Sequence, residues 1–145
     1  MIMTQEEKDL LLKDLCGRIP YGIKVQSYND RYDIETIETL QEIDSGGYIS
    51  TFECETLKCI AKPYLFPLSR MTDEQCYDFY CRFVENEIDY DDFKKYYFDE
   101  GRWHKLLTSI NDCSEVIDWF NKNHFDYRNL IDKKLAIDCT NLNIY

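Results

Sequence analysis

The run Trp119-Phe120-Asn121-Lys122-Asn123-His124-Phe125-Asp126-Tyr127-Arg128-Asn129-Leu130-Ile131 places large apolar groups on both sides of a polar turn. It reads as the end of one helix, a tight corner and the start of another. Trp119, Phe120, Phe125, Leu130 and Ile131 are expected to bury against a common core. Asn123, His124, Asp126 and Arg128 stand where side chains can hydrogen-bond the backbone groups that a helix end leaves unpaired. Asp126 is expected to cap a last helix reaching about Lys134. This is a signature of folding, not of a reaction.

Upstream of the corner, Asp112-Cys113-Ser114-Glu115 has the form of a helix start with aspartate as cap, followed by apolar Val116 and Ile117. Residues 93–110 admit two readings, because Asp99-Glu100-Gly101 can close a hairpin or end a helix; the hairpin is the expectation carried forward. Thr72-Asp73-Glu74-Gln75 is a capping box with two acids in the first turn, where the helix dipole favours them. The helix behind it should turn Cys76, Phe79, Tyr80, Phe83 and Ile88 to one side.

In residues 62–69 two prolines fix their own φ and push the preceding residues out of the helical region. This segment is expected to be an extended crossing from sheet to helices, with Tyr64, Leu65 and Phe66 packed against the sheet. Before it the texture is that of short strands, at 22–27, 34–43, 47–54 and 57–62, with Gly46-Gly47 as punctuation. Ile34, Ile37, Leu40 and Ile43 recur every three residues and fit a helix as well; the Ile and Thr content favours a strand with a bulge. At the N-terminus, Thr4-Gln5-Glu6-Glu7 is another capping box. It opens a helix to about Cys16, stopped by Gly17 and Pro20, with Leu11, Leu12, Leu15 and Ile19 on one side.

The expected fold class is α+β: an N-terminal helix, a small bent antiparallel sheet that could close into an SH3-like partial barrel, and a helical C-terminal half. A chain of 145 residues that is 44% hydrophobic suits one domain over 1–145, with helix and sheet in 1–71 and helices in 72–145. The N-terminus carries no signal-peptide pattern and no apolar run spans a membrane, so a cytoplasmic protein without a membrane partner is expected. Seven cysteines without a CxxC fit reduced thiols. Cys54, Cys59, Cys76 and Cys81 could be drawn as a zinc site, but residues five apart on a helix point about 140° from each other. No metal and no cofactor is expected.

The net charge of −11 is concentrated in residues 72–100, which hold 10 acidic and 3 basic side chains, against 12 and 8 in residues 1–71 and 6 and 6 in residues 101–145. That balance disfavours binding a nucleic-acid backbone and favours a basic protein partner. Glu85, Glu87, Asp89, Asp91 and Asp92 form the densest acidic run. It is not a calcium loop, since counting from Glu87 puts Asp92 where glycine is needed and Phe98 where a bidentate glutamate is needed.

The blocks Pro20-Tyr21-Gly22-Ile23-Lys24-Val25, Lys62-Pro63-Tyr64-Leu65-Phe66-Pro67, Met71-Thr72-Asp73-Glu74-Gln75 and Asp118-Trp119-Phe120-Asn121-Lys122-Asn123-His124-Phe125-Asp126-Tyr127-Arg128, with the leucine-rich start, resemble a family of small uncharacterised proteins. Its members occur in gut anaerobes and in their phages and prophages. The resemblance covers about half of the chain and brings no activity with it. The family often has glycine where this chain has Asn129 and Lys134, and residues 76–110 match none of its blocks.

Neither His104 nor His124 sits in a motif with a nucleophile or second metal ligand, and GxSxG, HExxH and phosphate-cradling glycine loops are absent. The expectation is therefore a non-catalytic binding protein of a mobile element, acting on a host protein through the acidic run. The alternative is sequestration of a small ligand such as a nucleotide signal, by Tyr21, Lys24, Tyr64, Trp119 and Arg128. A third reading is an enzyme whose pocket carries no recognisable motif.

Overall fold

The computed structural model describes residues 4–29, 34–43, 49–51, 62–84, 88–110 and 114–145. Helix α1 (Gln5–Arg18) opens on the expected capping box: the Glu7 N–H donates to Thr4 Oγ1 at 3.2 Å, and the Thr4 N–H donates to Glu7 Oε2 at 2.9 Å. Gly17 does not stop this helix. It lies inside α1, where a Cβ would stand 3.0 Å from Asn121 Nδ2, so its lack of a side chain permits a close approach to a later helix. The stop comes after Pro20, at Gly22, whose φ of +69° is the left-handed conformation glycine adopts without strain.

Strands β1 (Lys24–Asn29) and β2 (Ile34–Ile43) pair antiparallel over six residues each. The three-residue spacing of isoleucines in β2 belongs to a strand, and its pairing with β3 (Ile49–Thr51) shifts register between Leu40 and Glu42, the bulge expected there. The proposed strand at 57–62 and the Gly46-Gly47 turn fall outside the described residues, apart from Lys62.

The proline segment is the main departure. Residues Lys62–Pro67 are a strand, β4, that runs antiparallel to β1 and parallel to two short late strands, β5 (Phe125–Asp126) and β6 (Ile137–Asp138). The sheet is therefore mixed and open, in the order β3-β2-β1-β4-β5 with β6 also on β4. β4 is its junction, not a crossing beyond it. Tyr64 and Leu65 are buried within the sheet, not laid against it.

Helix α2 (Asp73–Phe83) starts on the second capping box, with Thr72 Oγ1 accepting from Gln75 N–H at 3.1 Å. Residues 93–110 form two helical segments joined by a turn at 100–102, which corrects the hairpin expectation. Helix α3 (Tyr90–Phe93) runs on as a wider π-helical segment over Lys94–Asp99, and α4 (Trp103–Ile110) comes next. Gly101, at φ +67°, ends the first of these: its N–H donates to the Phe98 carbonyl and the next N–H, of Arg102, donates to that of Tyr97. This is the Schellman pattern, so the Asp99-Glu100-Gly101 turn terminates a helix.

Helix α5 (Ser114–Lys122) leads into the corner; Asp112, its expected cap, lies outside the described residues. The corner turns at His124, whose φ is +61°. Beyond it the chain forms strand β5 and a set of turns, not the helix expected over 126–134. Asp126 does cap: Oδ1 and Oδ2 accept from the N–H groups of Leu130 and Ile131, each at 2.9 Å. A single turn then closes at Lys134, with Leu135 N–H on the Leu130 carbonyl and Lys134 N–H on that of Ile131. Left-handed backbone at Asn129 and Lys134, both at φ +61°, is what keeps this turn from extending.

Two apolar clusters result. One joins α1 to the sheet through Leu11, Leu15, Ile23, Val25, Leu40 and Leu65. The other is aromatic and centres on Phe79, whose ring lies 5.2 Å from Trp119, 5.4 Å from Phe120 and 5.6 Å from Trp103. The corner serves both, with Phe125 in the second cluster and Leu130 in the first. Among the described residues no helix is long and apolar enough to cross a membrane.

Candidate binding surface and adjoining cleft

One face of α2 packs on α3 through aromatic and polar contacts. Tyr90 meets Tyr77 edge-on at 5.1 Å and Tyr80 at 5.2 Å, and the Tyr80 hydroxyl donates to the Ile88 carbonyl at 2.6 Å. The Cys76 thiol, buried beneath Tyr90, is pushed up to about 11 by burial, which a hydrogen bond to Tyr90 only partly offsets. It is therefore a packed, protonated side chain. Lys94 reaches Asp73 at 3.1 Å, and that bond raises the lysine above its ordinary range.

Around this joint lie exposed carboxylates. Asp73 and Glu74 occupy the first turn of α2, Asp89 precedes α3, and Asp91 and Asp92 occupy its first turn, all exposed. Asp89 makes no side-chain cap bond, so its carboxylate is not consumed by the helix start. Tyr77 is 54% exposed among them. Of the five acids expected to contact a partner, Asp89, Asp91 and Asp92 share this surface; Glu85 and Glu87 lie outside the described residues.

The residues expected to hold a small ligand are not brought together. Tyr21 and Trp119 line a cleft of about 510 Å³ with Phe83, between the C-terminal half of α2, α5 and the turn before β1. Lys24, Tyr64 and Arg128 lie elsewhere. The Lys24 ammonium donates to Thr39 Oγ1 at 2.7 Å. The backbones of Lys24 and Tyr64 share one partner, the Tyr145 hydroxyl, which accepts from the Lys24 N–H and donates to the Tyr64 carbonyl, each at 2.9 Å. Arg128 faces Asp14 at 3.2 Å.

The charges of the cleft are organised by Asp78. It accepts from the Trp119 indole N–H at 2.9 Å and from Arg82 Nε at 2.9 Å, and the indole bond, followed by Arg82, holds its carboxyl below the usual range. Glu115, Asp118 and Lys122 add two carboxylates and one ammonium along α5.

A buried ionic network lies on the other side of α5. Asp14 and Arg18, one helical turn apart and both fully buried, pair at 2.7 Å; Arg18 Nη2 also donates to the Phe125 carbonyl at 2.7 Å. Both guanidinium groups, of Arg18 and Arg128, stand over the Tyr127 ring. His124 stacks on Tyr145 at 3.7 Å, and burial together with Arg18 pushes its imidazole down to about 4. Burial raises the Asp126 carboxyl, against the two backbone N–H groups it accepts from.

Sequence reasoning did not pick out the Asp14–Arg18 pair. Its signal was present: Leu11, Asp14, Leu15 and Arg18 share one helical stripe, so two charges stand where an apolar face is buried. Cys76 and Cys81 both lie on α2, and Cys54 and Cys59 lie outside the described residues; among the described residues no three metal-ligating side chains converge. No protein-family model matches the chain, and comparison with curated proteins and with solved structures finds no match.

Proposed function

We propose that this chain is a non-catalytic binding protein that engages a basic protein partner through the acidic, aromatic surface of α2 and α3, in the cytoplasm. The observation that supports this most directly is the exposure of Asp89, Asp91 and Asp92 beside Tyr77, a residue 54% exposed whose ring is backed by Tyr90. Tyrosine offers a rigid contact at low entropic cost, and like-signed carboxylates around it steer a cationic partner. The net charge of −11 adds long-range attraction for such a partner. The resemblance to proteins of phages and prophages makes a host protein the natural candidate. Sequestration of a nucleotide-like ligand is less well supported, because of its five residues Tyr21 and Trp119 line the cleft while Lys24, Tyr64 and Arg128 do not.

The test is affinity capture from host lysate with the wild-type chain and with Asp89→Lys/Asp91→Lys/Asp92→Lys, all exposed positions. A basic partner recovered by the wild type and lost by an equally stable variant supports the reading. Equal capture by both would exclude this surface as the contact.

A further inference from the structure

We propose that the cleft between α2 and α5 receives an arginine side chain of the partner, an inference that rests on the basic-partner reading. Helix α2 is common to the acidic surface and the cleft: Tyr77 belongs to the first and Asp78, the next residue, to the second, on different faces of the helix. The cleft volume of about 510 Å³ exceeds what one side chain needs, leaving room for flanking backbone.

Three features select a guanidinium. The half-buried rings of Tyr21 and Phe83 line the cleft beside the edge of the buried Trp119, and a planar cation stacks on such rings better than a compact ammonium does. The indole of Trp119 is held in place, because its N–H is tied to Asp78 at 2.9 Å and Asp78 is itself clamped by Arg82. Finally, Arg82 and Asp78 compensate each other, which leaves Glu115 and Asp118 against the single ammonium of Lys122. An incoming anion would meet two carboxylates; an incoming guanidinium can form a forked bond with either.

The experiment is a titration of the full chain, followed through the indole N–H resonances of Trp119 and Trp103. The probes are a capped tripeptide with central arginine, the same peptide with citrulline in place of arginine, and inorganic phosphate. The expected result is a saturable shift of the Trp119 signal by the arginine peptide with Trp103 unmoved, about tenfold weaker in Glu115→Gln/Asp118→Asn. No saturable shift, or an equal shift by the citrulline peptide or by phosphate, overturns the proposal. So does unweakened binding by the Glu115→Gln/Asp118→Asn variant, whose spectrum also reports whether it is folded. The triple reversal at Asp89, Asp91 and Asp92 separates the two claims: lost partner capture in that variant alongside a failed arginine titration removes the cleft and leaves the acidic surface standing.

Discussion

Asp14 and Arg18 occupy two of the four buried positions of α1, and an ion pair so placed is strongly asymmetric in its energetics. Burying both charges costs several kcal/mol in desolvation, which their contact at 2.7 Å and the bond to Phe125 offset. Removing Asp14 leaves Arg18 buried without its carboxylate, and removing Arg18 leaves Asp14 facing Arg128 alone. Asp14→Leu and Arg18→Leu are each expected to cost about 3–5 kcal/mol, and the double variant much less than their sum. Urea unfolding of the four proteins measures this, and additive losses would show that the pair is not coupled. Lys134 presents the opposite case. It holds a left-handed φ of +61° at the end of a turn, a conformation that costs an ordinary L-residue about 1 kcal/mol and glycine almost nothing. Lys134→Gly should therefore stabilise the fold by about 0.5–1 kcal/mol, more than Asn129→Gly, because asparagine tolerates that region better. A lower midpoint for Lys134→Gly would refute this.

At the scale of elements, legibility tracks the range of the interaction that makes each one. Both capping boxes close within four residues, so Thr4 and Thr72 could be read directly and both form as expected. The bulge in β2, a matter of its pairing with β3, was anticipated from the strand's Ile and Thr content instead. The Gly101 turn was not, because a glycine after two acids ends a helix or closes a hairpin with equal ease, and burial of Phe93, Trp103 and Leu106 in the aromatic cluster decides between them. Asp126 was read rightly as a cap but wrongly as the start of a helix, since its two bonds serve a single turn that Lys134 closes. The strongest element-level inference concerned α5, whose Trp119 and Phe120 are buried together with Phe125 just beyond it. Trp119 clamps α5 to α2 through Phe79 at 5.2 Å and Asp78 at 2.9 Å. Trp119→Ala should cost roughly 3–5 kcal/mol, and a thermal midpoint close to wild type would refute its role in the core.

Over the whole molecule, the candidate site was only partly legible because it is assembled from distant parts. Acidity and the exposed run at 89–92 could be read from composition, whereas the cleft needs Tyr21, α2 and α5 at once. The sheet poses the same difficulty, since no local pattern reveals that β4 pairs with residues 125–126 and 137–138. Tyr145 ties these ends together. Its hydroxyl, placed between β1 and β4, pairs the N–H of Lys24, 121 residues away, with the carbonyl of Tyr64, 81 residues away, and burial raises its phenol well above the ordinary range. Tyr145→Phe keeps the ring against His124 and Phe66 but leaves two backbone groups without this partner. The Lys24 bond is exposed and the Tyr64 bond part-buried, so water can replace part of what is lost and the variant should lose about 0.5–1.5 kcal/mol. Hydrogen exchange locates the effect: the Lys24 amide should exchange faster in Tyr145→Phe, while amides in α2 shift only by the global loss. An unchanged Lys24 amide would mean that β1 and β4 hold their spacing without the hydroxyl, and that the contact results from the sheet instead of shaping it.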